Sequence, residues 1–150
     1  MLLEMFTLMG VAWVGSVFWV VSPEVLSAVY GSQLGWNPLA VGLVAATSQC
    51  TVYFLLYRGG DALASRWAFL ARQIERVRVR FAAHLERNYV GMLLLGGLVG
   101  LPPVIAVVAL APGFGIPVRK VLMATFVARS ARFAALAALG EAVLPVLKGW

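Results

Sequence analysis

Charge is what this sequence has little of. Eighteen of its 150 residues are charged, twelve Lys or Arg and six Asp or Glu, about half the share of an average soluble domain. A soluble chain of this size cannot cover its core with so few polar groups when 62% of its residues are hydrophobic. From Met5 to Tyr57 only Glu24 carries charge, and a bilayer span needs about 20 apolar residues. Disordered and fibrous classes are excluded, and an integral membrane protein is expected. Cysteine is nearly absent: Cys50 stands alone, so neither a disulfide nor a thiolate cluster is available. The single histidine, His84, has no Cys or His neighbour, and no metal or cofactor is expected. No Gly-rich phosphate loop and no nucleophile with a base partner is visible, so no enzyme is expected. The start, MLLEMF, has Glu4 and no basic residue, unlike a cleavable signal peptide, and the first apolar segment is expected to stay.

What is present is apolar material in four blocks: Met5 to Val21, Val25 to Tyr57 (divided by Gly35-Trp36-Asn37-Pro38), Gly91 to Val118 and Val121 to Leu139. A basic insert separates the second from the third, with seven arginines between Arg58 and Arg87 against Asp61, Glu75 and Glu86. The net charge of +6 fits cytoplasmic loops of a membrane protein better than nucleic-acid binding, and the insert is expected inside. Within it Leu63, Trp67, Leu70, Ile74, Val77, Phe81 and Leu85 recur at steps of three and four, with Arg66, Arg72, Arg76, Arg80 and Arg87 off that face. This spacing predicts an amphipathic helix over about 61–88, capped by Asp61 after Gly59-Gly60 and lying at the cytoplasmic interface. Arg72, Arg76 and Arg80 would contact the lipid surface.

Arg119 and Lys120 also belong inside, so the block from Gly91 to Val118 must leave and return. Two crossings would need about 40 residues, and Pro102-Pro103, Pro112 and Pro117 break any single helix. A re-entrant hairpin with its tip at Leu101-Pro102-Pro103 fits, and non-helical backbone at that depth marks the protein interior. Sliding the sequence by 79 residues superposes Pro23 on Pro102, Val25 on Val104, Val29 on Val108 and Pro38 on Pro117. Each unit then reads as a hairpin with a proline tip, Ser22-Pro23-Glu24 in the first, followed by one span: Leu39 to Tyr57 and Val121 to Leu139. The expected fold is all-α, an inverted repeat over about 5–57 and 91–140 with the amphipathic helix between. A second topology, with residues 5–21 as a full span, is also compatible with the composition. Gly42, Ala46 and Cys50 in one span, and Ala124, Ala128, Ala131 and Ala135 in the other, are spaced for close helix packing.

Three charged residues fall at membrane depth. Glu24 sits at the first tip, where Ser22-Pro23-Glu24 also spells an ordinary helix start. Arg129 and Arg132 lie 10 and 13 residues beyond Arg119, roughly 15 and 20 Å in, and share a helix face. Each costs about 2.5 to 3.5 kcal/mol there. One reading is a structural ion pair with Glu24. The other adds an anionic headgroup, because two Arg against one Glu leave a positive surplus and the guanidinium fork suits phosphate.

The pattern resembles the DedA superfamily, also called the VTT-domain or SNARE-associated Golgi protein family, and within it the short bacterial YqaA-like members. Ser22-Pro23-Glu24-Val25-Leu26 is similar to the family's Pro-x-Glu tip and Tyr57-Arg58-Gly59-Gly60 to its Tyr-x-x-Gly stretch. Leu101-Pro102-Pro103 resembles the second tip, and Ala128-Arg129-Ser130-Ala131-Arg132-Phe133 resembles a Gly-Lys-x-x-Arg-Tyr element, with Ala128 in place of Gly. The resemblance implies two re-entrant hairpins, residence in a bacterial inner membrane as a multi-pass protein, and movement of an anionic lipid, either a polyprenyl phosphate or a phospholipid. It also implies a proton-coupling role for Glu24. The expected function is therefore a lipid transporter or flippase, with membrane lipids as partners and room for a homodimer. The alternative is a non-transporting scaffold whose Arg/Glu set is structural.

Overall fold

A computed structural model describes residues 2–15, 23–140 and 142. Among them every regular element is helical. Helices α1 (Leu2–Gly15), α2 (Pro23–Ser32), α3 (Pro38–Arg66), α4 (Ala68–Val99), α5 (Val104–Leu110) and α6 (Val118–Ala138) follow in order, with a 3-10 turn, Ala111–Phe114, after α5. Two stretches, Pro38–Gly60 and Val118–Ala138, are long and apolar enough to cross a membrane. The chain divides into two compact units, Met1–Thr51 with Arg129–Trp150, and Val52–Ala128.

In the first unit α1 and α2 pack as an antiparallel pair. The Tyr30 hydroxyl, near the end of α2, donates to the Glu4 carbonyl near the start of α1 at 2.8 Å. Pro23 opens α2, where its missing N–H costs nothing and its fixed φ already suits a helix. Ser22, expected at the tip, lies outside the described residues, as do residues 16–21. Leu8, Tyr30, Val41 and Ala137 form one buried cluster, and Ala12, Ala45 and Phe133 another. Helices α3 and α6 meet closely here: a Cβ on Gly42 would stand 2.5 Å from the Ser130 carbonyl oxygen. Only glycine permits that separation, as the small-residue spacing anticipates. Ala46 is fully buried, whereas Ala131 and Ala135 face outward.

In the second unit α4 bends at Asn88, whose backbone leaves the helical region (φ −149°, ψ 70°). Its side-chain oxygen accepts the Gly91 N–H at 2.9 Å, so Asn88 caps a fresh start for residues 89–99. That arm runs back along α5: the Tyr89 hydroxyl donates to the Val107 carbonyl, and the Tyr89 and Phe114 rings lie 5.6 Å apart. Residues 100–103 form the non-helical link, with Gly100 at φ 93° closing α4 and Pro103 preceding α5. The Tyr57 hydroxyl donates to the Ile116 carbonyl at 2.9 Å just before α6 begins.

Two expectations about the insert are corrected. Helix α3 does not stop at Gly59-Gly60; it continues through Asp61 to Arg66, and the break falls at Trp67 (φ −120°, ψ 96°). A glycine costs a helix only about 1 kcal/mol, and a Cβ on Gly60 would stand 3.1 Å from that of Ala109, so close packing favours a helical glycine there. The apolar face of α4 is also covered by protein rather than left for the bilayer, since Val77 and Leu85 are each 1% exposed.

Candidate functional site

Helix α6 places Arg129 and Arg132 at its middle, roughly 17 and 21 Å along a helix about 31 Å long. They share its inward face with Thr125, Ala128 and Phe133, all buried. Opposite stands Glu24, in the first turn of α2, where a carboxylate also benefits from the helix dipole. All three belong to the first unit.

Glu24 Oε1 lies 3.2 Å from Arg132 Nη2 and 3.8 Å from Arg129 Nη1. The shorter distance is a charge-assisted hydrogen bond; the longer is an ion pair without one. The side chains are 20%, 23% and 12% exposed for Glu24, Arg132 and Arg129 respectively, so water screens the cluster only in part. The Arg129 guanidinium also sits 5.9 Å from the centre of the Phe133 ring, a cation–π contact one helical turn on.

The cluster is not closed. Arg129 Nε and Ser130 Oγ are buried and have no hydrogen-bond partner among the described residues. Buried polar atoms are normally satisfied, and other hydroxyls of this unit are: Ser27 Oγ donates to the Pro23 carbonyl at 2.8 Å and Ser48 Oγ to the Met9 carbonyl at 2.5 Å. Among the described residues two guanidiniums face one carboxylate, and the unsatisfied Nε belongs to the more deeply buried arginine.

The structure thus brings Glu24, Arg129 and Arg132 together, with Pro23 as the first residue of α2. Pro102 and Pro103 lie in the link before α5, in the second unit. Arg72, Arg76 and Arg80 are exposed along α4. Ser130 and Phe133 were read from sequence only as parts of the Ala128–Phe133 element and given no role; a hydroxyl between two mid-helix arginines, and an aromatic four residues after the first, were the available signals. Among the described residues no group of His, Cys, Asp and Glu is arranged to hold a metal ion. Comparison with family models, curated proteins and solved structures finds no match for this chain.

Proposed function

We infer that the protein moves an anionic lipid across a bacterial inner membrane, holding its phosphate at Arg129 and Arg132 with Glu24 as their counter-ion. The observation that carries this reading is the cluster itself: among the described residues, two part-buried arginines, one carboxylate, and an Nε–H of Arg129 with no acceptor. A phosphate oxygen supplies both a negative charge and the missing acceptor. No bond to the lipid is made or broken; the Glu24 carboxylate competes with the phosphate for Arg132 and re-forms its 3.2 Å pair when the phosphate leaves.

The order of elements supports the same reading. Twice, two short helical arms are followed by a left-handed glycine (Gly35 at φ 64°, Gly115 at φ 65°), a proline (Pro38, Pro117) and a long apolar helix. Of the arms described at both ends, α2 and residues 89–99 measure about 15 to 17 Å and α5 about 11 Å, short of a hydrocarbon core about 30 Å thick. They are read as re-entrant hairpins, and the single crossing between them makes the repeat inverted. The resemblance to the DedA superfamily points the same way.

One observation favours the scaffold reading: Glu24 and Arg132 already form a tight pair at 3.2 Å. It leaves Arg129 unexplained. The test is flipping of a labelled polyprenyl phosphate and a labelled anionic phospholipid in liposomes containing wild type or Arg129→Ala. Wild type is expected to flip at least one of them and the folded variant neither. Wild-type liposomes no faster than protein-free ones for both lipids would leave the scaffold.

A further inference from the structure

Over residues 68–87, helix α4 has two opposed faces. Ile74, Val77, Phe81 and Leu85 lie on the one taken up by the protein, Val77 and Leu85 almost completely. Arg72, Arg76, Arg80 and Arg87 lie on the other. At about 100° per residue they fall within an arc of about 80°, and all four are exposed. Arginines four apart on one face repel each other, and Glu75, three residues from Arg72, offsets only part of that, so the stripe is favoured by negative charge.

The same stripe is not purely polar. Phe69 falls within the arc and Val79 beside it, and they are 49% and 74% exposed. Trp67, just before the helix, is 41% exposed. An acidic protein surface would answer the arginines and leave these three in water. An anionic bilayer surface answers both: phosphates pair with guanidiniums, while Phe69, Val79 and Trp67 reach the acyl boundary where aromatic side chains collect. Helix α4 also continues through Asn88 into residues 89–99, an apolar arm against α5, which brings the stripe to the membrane edge.

We propose that the Arg72, Arg76, Arg80 and Arg87 face of α4 is a docking surface for anionic lipid headgroups, separate from the Glu24 cluster in residues and in chemistry. It recruits such lipids electrostatically from the surrounding leaflet, and its affinity falls with salt. The test uses the full chain in bilayers of phosphatidylcholine, with spin-labelled phosphatidylglycerol or phosphatidylcholine reporting the association of each lipid with the protein. Wild type is expected to prefer phosphatidylglycerol, with the preference weakening as salt is added. The variant R72Q/R76Q/R80Q/R87Q should lose the salt-sensitive part of the preference, while the corresponding four-lysine variant should keep it. Glutamine and lysine both suit an exposed helix, and helix content confirms that each variant folds. Arg129→Ala should leave the salt-sensitive preference intact, which separates this surface from the proposed transport site. A glutamine variant that prefers phosphatidylglycerol as strongly as wild type would overturn the proposal. So would a wild type that shows no preference yet binds soluble polyglutamate, which would assign the face to an acidic protein.

Discussion

The two long helices make the instructive contrast. Helix α3 carries no charge from Pro38 to Tyr57, and its buried polar residues find partners within the chain: Ser48 donates to Met9, and Gln49, only 1% exposed, is also engaged. Helix α6 has the same apolar character and carries Arg129 and Arg132 at its centre. An apolar helix needs no reason beyond burial, but two part-buried arginines carry a desolvation cost. Among the described residues one carboxylate offsets part of that cost and leaves a buried donor unmet. α3 therefore reads as framework and α6 as the helix that waits for something.

Removing Glu24 should break the contrast most severely. Glu24→Ala removes the carboxylate that both arginines face and is expected to cost about 3 to 5 kcal/mol, read as a lowered unfolding temperature in detergent. Arg129→Ala should cost much less, under about 1 kcal/mol, because the 3.2 Å pair of Glu24 with Arg132 survives; equal losses for the two variants would mean that Arg129 is held as tightly as Arg132. On the framework side, Gly42→Val drives a side chain into the Ser130 carbonyl and should destabilise by about 1 to 3 kcal/mol. Ala131→Val on the exposed face of α6 should be nearly silent in the same melting experiment. A modest loss is expected at Asn88→Ala, about 1 kcal/mol for a lost helix cap, with faster hydrogen exchange confined to residues 89–92.

The candidate cluster was legible because charge is rare: in a sequence with one acid between Glu4 and Asp61, Glu24 and the two mid-helix arginines name themselves. The helical class and the two long apolar helices were legible from hydropathy and proline placement. The end of α3 was not, since Gly59-Gly60 signals a turn only where nothing packs against it, and sequence does not show Ala109 alongside Gly60. Nor does periodicity alone say whether an amphipathic face meets lipid or protein, which is why it points Val77 and Leu85 toward the interface when they are buried. Asn88 gives no warning of a bend by hydropathy, although a helix-capping residue before an apolar run is a recognised start signal. The unsatisfied Nε of Arg129 has no counterpart in sequence; it depends on which guanidinium edge the Glu24 carboxylate reaches.

The central claim is that the cluster around Arg129 takes a phosphate. Its most direct test is the unfolding temperature of the detergent-solubilised protein with a short-chain prenyl phosphate and with the corresponding uncharged alcohol, for wild type and Arg129→Ala. A ligand that binds the folded state at about 100 times its Kd stabilises by about 2.7 kcal/mol. The account predicts that the phosphate raises the wild-type unfolding temperature, that the alcohol does not, and that Arg129→Ala responds to neither. Equal stabilisation by phosphate and alcohol, or an undiminished phosphate response in Arg129→Ala, would contradict it.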